Sequence, residues 1–180
     1  MFNWLFARQQ NGVFVLRIED TDQSRSTDDS IQAILDGMRW VKLDWDEGPF
    51  RQTERMDLYR EHAMRLFEQG HAYWCVCSSE ELEARRKEAE TKGGSPKYDG
   101  RCRNLGLTKP TGEAALRFRA PQDGQTVVDD LIKGPVVFDN QILDDVIILR
   151  SNGYPTYNFS VVVDDALMGI THVVRADEHL

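Results

Sequence analysis

Apolar positions recur with two different periods along this chain. Val13 to Ile18 (VFVLRI) is a short apolar run that follows Asn11-Gly12 and ends in Glu19-Asp20-Thr21-Asp22. That pattern predicts a buried strand whose carboxyl end carries a cluster of acids. Ser26-Thr27-Asp28-Asp29 is a helix-start signal with acids in the first turn, and Ile31, Ile34, Leu35, Met38 and Val41 follow at helical spacing, so one face of that helix is expected to be buried. A second amphipathic helix is predicted from about Glu54 to Gln69, with Leu58, Tyr59, Ala63, Leu66 and Phe67 on one side and Gly70 placed to stop it. Strand, helix, helix suits the first part of a nucleotide-binding α/β domain.

After Tyr73 the pattern changes. A Cys-x-Cys is followed by a capping box, Ser78-Ser79-Glu80-Glu81, a basic helix to about Lys92 and a loop rich in Gly, Pro and Lys. Four short strands are predicted at 115–119, 126–132, 136–138 and 146–149, with Lys133-Gly134-Pro135 as a turn between two of them. The middle of the chain therefore reads as a mixed α+β insertion. From Gly153 the sequence predicts a helix over 158–167 and a last strand over 171–174 that ends in Arg175-Ala176-Asp177-Glu178-His179. If the first and last strands share one parallel sheet, their charged ends meet in one pocket, at the edge where open α/β sheets hold ligands.

Composition narrows the choices. A chain of 180 residues, 41% hydrophobic and 29% charged, can bury the core of one domain or two small ones, which argues against intrinsic disorder. No apolar run reaches about 18 residues, and MFNWLFARQQ is too short and lacks a cleavage site for a secretory signal, so a cytosolic protein without membrane attachment is expected. The net charge of −8 argues against a polybasic anchor or a general DNA-coating role. Charge is uneven, however: Arg85 to Lys109 carries +5 and the remainder −13. A basic island of that kind either meets phosphate or is a solvated helix and loop. Three cysteines disfavour a disulfide framework and leave a metal site or free thiols as the alternatives.

Glu19, Asp20 and Asp22 at the first strand end can simply cap the next helix. Alternatively Glu19 meets a substrate cation while its neighbours bond to the turn, with Arg17 and Arg25 as charge-assisted partners.

LRIEDTD at 16–22 and GYPTYNFSVVVDDALMGITHVVRADEHL at 153–180 resemble the bacterial glutamyl-tRNA synthetases, class I enzymes related to glutaminyl-tRNA synthetase. FRQTERMDLY at 50–59 and HAYWCVCSSEEL at 71–82 extend the resemblance over essentially the whole chain. It implies an α/β Rossmann-type parallel sheet interrupted by an insertion: a first Rossmann part at 1–72, an acceptor-end-binding insertion at 73–145 and returning Rossmann elements at 146–180. It further implies a monomer that attaches L-glutamate to tRNA(Glu) with ATP and Mg2+ through glutamyl-adenylate. By the same motifs, Glu19 would contact the amino acid, Tyr157 would line its pocket, Arg175 would pair with a substrate carboxylate and Glu178 would approach ATP. Arg85, Arg86, Lys97 and Arg101 would face the tRNA acceptor end. The His-x-Gly-His and Lys-Met-Ser-Lys-Ser signatures do not occur in this sequence, so the stretch by itself is expected not to be competent.

Some family members hold a structural zinc with Cys-x-Cys and a later Cys-x-His, and the His position here is Asn104. The related glutamyl-queuosine tRNA synthetases use a ligand at the spacing of Tyr98, so the resemblance implies Zn2+ on Cys75, Cys77, Cys102 and Tyr98. Two other readings stand beside the ligase: a glutamyl-queuosine tRNA(Asp) synthetase, and a noncatalytic zinc-stabilised RNA-binding module.

Overall fold

A computed structural model describes residues 1–21, 26–94, 97–108, 110 and 112–176. The chain forms two compact units, one of Met1–Tyr59 with Tyr157–Leu180 and the other of Arg60–Thr156.

The first unit opens with helix α1 (Phe2–Gln9), which sequence periodicity had not indicated, and strand β1 (Val15–Ile18), which begins two residues later than the apolar run. Helix α2 (Asp28–Trp40) starts where the cap signal places it, with the Thr27 hydroxyl accepting from the Ser30 amide at 3.2 Å. Its expected buried face is only partly covered. Leu35 is buried, but Ile34 and Val41 are exposed and Trp40 is 84% exposed. Strand β2 (Glu47–Arg51) pairs in parallel with β1, Arg17 opposite Phe50 and Ile18 opposite Arg51. Gly48, at φ +101°, lets the two backbones approach, because a Cβ there would overlap the Leu16 carbonyl oxygen. A 3-10 turn (Gln52–Arg55) leads into helix α3 (Met56–Glu68), and Gly70 at φ +78° follows its end.

In the second unit β3 (Ala72–Cys75) lies antiparallel to β4 (Ala115–Phe118), which is flanked on its other side by β7 (Ile147–Leu149). This sheet takes strands from both sides of the 73–145 stretch, so the compact unit reaches beyond it in both directions. Helix α4 (Ser79–Thr91) has the full capping box: Ser78 Oγ accepts from the Glu81 amide at 3.2 Å, and Glu81 accepts from the Ser78 amide at 3.0 Å. Strands β5 (Gln125–Asp130) and β6 (Gly134–Asp139) form a separate two-stranded hairpin.

Helix α5 (Tyr157–Leu167) returns the chain to the first unit. The strand expected at Thr171 to Val174 does not form: these residues join no ladder, and β1 takes β2 as its parallel partner instead. An extended segment without hydrogen-bonded neighbours is not a strand, however β-rich its composition.

A buried carboxylate holds α5 in place. Asp164 has no exposed surface, accepts from Arg55 Nε at 2.8 Å, from the Tyr59 hydroxyl at 2.7 Å and from Gln52 Nε2 at 3.3 Å, and lies 3.7 Å from Arg17 Nε. Its neighbour Asp165 takes Arg17 Nη1 at 2.7 Å. One helix is thereby tied to β1, the 3-10 turn and the start of α3. Removing one partner of a buried charge network strands the others, at a cost of about 3–5 kcal/mol. Asp164→Ala should lose that much in urea unfolding, whereas Asp165→Ala, whose carboxylate is partly exposed, should lose about 1 kcal/mol or less. Equal losses would show that the buried network does not secure α5.

Candidate functional sites

The first site grows from the carboxyl end of β1. Asp20, 2% exposed, is fully engaged by the adjoining segment: Arg51 Nε donates at 2.8 Å, the Thr53 amide at 2.9 Å and the Thr53 hydroxyl at 2.8 Å. Burial works to raise its pKa, but these hydrogen bonds outweigh burial and hold the carboxyl below its ordinary value. Glu19 behaves oppositely. Burial pushes its pKa up, against the pull of Arg17, the Tyr157 hydroxyl and Arg175. Its only ion pair among the described residues is a long one, 3.9 Å to Arg17 Nη2.

Tyr157 is at the start of α5, and its hydroxyl accepts from Arg175 Nη2 at 3.4 Å. Glu19, Tyr157 and Arg175 thus come together although the strand expected to carry Arg175 is absent. The extended segment before it is steadied by His172, whose ring lies 4.9 Å from that of Phe6 on α1. Beside Glu19 a groove of about 300 Å³ runs between β1 and α2, lined by Leu16, Ile18, Ser30, Ile31 and Leu35. Asp22, Arg25 and Glu178 lie outside the described residues.

The second site is the cysteine cluster at the end of β3. The sulfurs of Cys75, Cys77 and Cys102 lie within 4.8 Å of one another, with Cys77 and Cys102 at 3.6 Å. The Tyr98 hydroxyl lies 3.3 Å from Cys75 Sγ and 3.7 Å from Cys77 Sγ. Tetrahedral zinc with sulfur at about 2.3 Å and oxygen at about 2.0 Å requires separations of about 3.8 Å between sulfurs and 3.5 Å between oxygen and sulfur. The four side chains therefore fit such an ion. Asn104 is not among them: its Oδ1 accepts from Arg119 Nη1 at 3.3 Å. Burial raises the Cys77 thiol, with help from the neighbouring cysteines, to about 11. Cys75 is lowered despite its burial, by Tyr98, by Arg117 and by the Cys77 backbone.

The bases expected to meet RNA already have partners. Arg85 contacts Asp99 at 3.4 Å and Glu81 at 3.8 Å, and its Nη1 lies 3.9 Å from Cys77 Sγ. Arg86 pairs with Glu90 at 3.2 Å, Arg101 lies 3.9 Å from Glu81, and Lys97 donates to the Gln141 carbonyl at 2.6 Å. Exposed pairs of this sort are weak and can exchange for phosphate.

The sequence profile of tRNA synthetases class I (E and Q), catalytic domain, matches residues 1–180. The chain belongs to that family. Among curated relatives of this synthetase-family chain, the glutamate–tRNA ligases of Thermodesulfovibrio yellowstonii and Geobacter sulfurreducens are each 58% identical to it over its full length. The chain spans 38% and 39% of their lengths. A crystal structure of a glutamate tRNA ligase from Elizabethkingia meningosepticum in complex with its amino acid superposes with a TM-score of 0.86 at 30% identity, covering 98% of this chain and 39% of that one. The synthetase fold, a mixed α/β class I catalytic domain, is thus shared. No helix among the described residues is long and apolar enough to cross a membrane.

Asp20 in this synthetase-family fold yields a pH test. Because its folded-state pKa is depressed, its contribution is present above the ordinary Asp value of about 3.9 and is lost as pH falls through the folded-state value. The stability gap between the unaltered protein and Asp20→Asn, measured by urea unfolding, should be widest near neutrality and close as the pH drops below about 3.9. A gap constant down to acid pH would show that the Asp20 charge is not what stabilises this turn.

Proposed function

We propose that this chain supplies the amino-acid-binding face and the acceptor-end-binding part of a cytosolic glutamate–tRNA ligase. The larger enzyme would attach L-glutamate to tRNA(Glu) in two steps. In the first, the substrate α-carboxylate attacks the α-phosphorus of ATP, releasing pyrophosphate and leaving glutamyl-adenylate. In the second, a hydroxyl of the terminal adenosine of tRNA attacks the acyl carbon and AMP departs. Magnesium enters with ATP as part of that substrate. Glu178 is assigned to the ATP side by its motif alone.

The observation that carries the reading is the convergence of Glu19, Tyr157 and Arg175. A zwitterion with a second carboxylate needs one anion and at least one cation around it. Of the two described acids at this strand end, Glu19 is left with weak partners, whereas Asp20 is consumed by Arg51 and Thr53. Glu19 would accept the substrate ammonium, Arg175 would grip a carboxylate with its planar fork, and the Tyr157 hydroxyl would fix the fork between them. Holding the reactant in one orientation is the main service such groups perform, since the reacting phosphorus and carboxylate then meet without a further entropic cost. The curated relatives quoted are glutamate–tRNA ligases, which supports the ligase over the glutamyl-queuosine reading.

In the second unit, Cys75, Cys77, Cys102 and Tyr98 would hold Zn2+, which when bound supplies a structural cross-link between the end of β3 and the loop after α4. Arg85, Arg86, Lys97 and Arg101 on and beside that helix would then be presented to the acceptor-end phosphates, the arginines exchanging their present acidic partners, and Lys97 its backbone carbonyl, for RNA.

In the full-length enzyme, Arg175→Ala should raise the KM for glutamate by at least about 30-fold while the KM for ATP changes little, because Arg175, exposed here, would be desolvated by the bound substrate, and loss of one partner of a desolvated charge pair costs about 2–5 kcal/mol. Arg175→Lys should rescue only part of that loss, since an ammonium cannot reproduce the fork. Glutamate-dependent pyrophosphate exchange gives both constants. An unchanged glutamate KM in the Ala variant would remove Arg175 from the pocket.

A further inference from the structure

Arg117 is a buried cation that the function above does not use. It lies at the middle of the central strand β4, directly opposite Tyr73 of β3, and is 6% exposed. Alternation along β3 places Tyr73 and Cys75 on one face of the sheet, so the Arg117 side chain rises beside the cysteine cluster. Its guanidinium carbon is 3.7 Å from the centroid of the Tyr98 ring, a close stacking contact. Nη1 donates to the Asp145 backbone carbonyl at 2.7 Å, while Nε is buried with no hydrogen-bond partner. The Asp145 carboxylate is occupied elsewhere, by Arg103, the Tyr73 hydroxyl and the Ala120 amide. No carboxylate among the described residues forms an ion pair with Arg117.

A buried guanidinium without an anion is costly, because its lost hydration is not repaid. The missing anion is supplied if the cluster carries negative charge. Metal-bound cysteines are thiolates, and a metal-bound tyrosine is a phenolate, so three of the one and one of the other around a divalent ion leave a net charge of about −2. A neutral His as fourth ligand leaves about −1. Exchanging His for Tyr therefore adds one negative charge to a buried site, and Arg117 adds one positive charge against the ring of that tyrosine.

We propose that Arg117 is the counter-cation and positioning residue of this zinc site, the group that allows Tyr98 to serve as its fourth ligand. This rests on the zinc reading of the cluster. The stack holds the plane of the Tyr98 ring, and the charge lowers the cost of an anionic centre inside the unit. Arg85 does less, because it is at the rim and shares its charge with Asp99 and Glu81.

The test is a double-mutant cycle read as zinc affinity in the full-length protein, by competition with a chromophoric chelator, with metal content measured on the same samples. The unaltered protein should hold one zinc. Arg117→Met should bind it about 10–100-fold more weakly, the usual cost of losing an outer-sphere partner. In the Tyr98→Phe background, which keeps the ring but removes the oxygen ligand and its charge, the same Arg117→Met change should cost only a few-fold. Arg117→Lys should lie between, retaining charge without the planar stack, and it preserves the comparison if the Met variant fails to fold. Cobalt substitution supplies the spectroscopic check, through thiolate charge-transfer bands that must persist in every variant compared. An equal loss in both backgrounds would reduce Arg117 to packing and overturn the proposal while leaving the zinc site standing. Absence of zinc from the unaltered protein, with no affinity in competition, would remove the metal reading itself.

Discussion

The first unit depends on burying one negative charge correctly. Asp164 is on a helix whose other buried positions, Phe159, Ser160 and Val163, are neutral, and its carboxylate is met by groups from three separate elements. A buried carboxylate is tolerated only when its lone pairs are taken and its charge is opposed. Satisfying Asp164 therefore fixes the rotation of α5 about its own axis to within what two cations, an amide and a phenol can follow. That rotation decides where Tyr157, at the helix start, can point, and Tyr157 in turn orients Arg175. The geometry of the Glu19, Tyr157 and Arg175 cluster is thus set in part by residues outside it.

Both candidate sites follow one electrostatic logic. In the first, an arginine that belongs to the buried network, Arg17, also reaches Glu19, so the framework leaks part of its positive charge into the pocket. In the second, Arg117 donates to a backbone carbonyl and stacks on Tyr98, and no carboxylate among the described residues pairs with it, so its charge is kept for the cluster. The difference is one of supply. Where carboxylates are present the arginines are shared, and where they are withheld the charge remains available to whatever anion the site acquires.

Much of this was legible in the sequence, for identifiable reasons. The capping box at Ser78, the Thr27 cap and the stop at Gly70 are local hydrogen-bonding or φ requirements, and each is at or within a residue of its predicted place. Strands β5 to β7 have the β-branched composition that announces them. Strand β2 does not: Glu47-Gly-Pro-Phe-Arg51 has almost no β propensity and exists because β1 offers it a parallel edge. Helix α1 was hidden by the absence of any buried residue on it, since periodicity reports burial and not helicity. The strand expected at Thr171 to Val174 failed for the converse reason, as propensity without a partner gives no ladder. The basic island was visible as charge, but the compensating acids Glu81, Asp99 and Glu90 are close in space as well as in sequence, so its field is weaker than the count suggests.

The candidate fourth metal ligand shows what sequence spacing can carry and where geometry must take over. Tyr98 lies four residues before Cys102 and Asn104 two after it, so along the chain the amide is the nearer of the two. The fold separates them. Asn104 turns its oxygen to Arg119, a residue of the segment after β4, whereas Tyr98 places its hydroxyl between two sulfurs and also accepts from the Cys102 amide at 3.2 Å. Two arginines two positions apart, one on β4 and one just past its end, thus meet the two candidates differently, Arg119 by a hydrogen bond to the amide and Arg117 by a stack against the ring. The segment ALRFR looks, as a sequence, like a strand with two solvated bases. Its register instead sends Arg117 to the face that carries the cysteines, where it meets the ring of Tyr98.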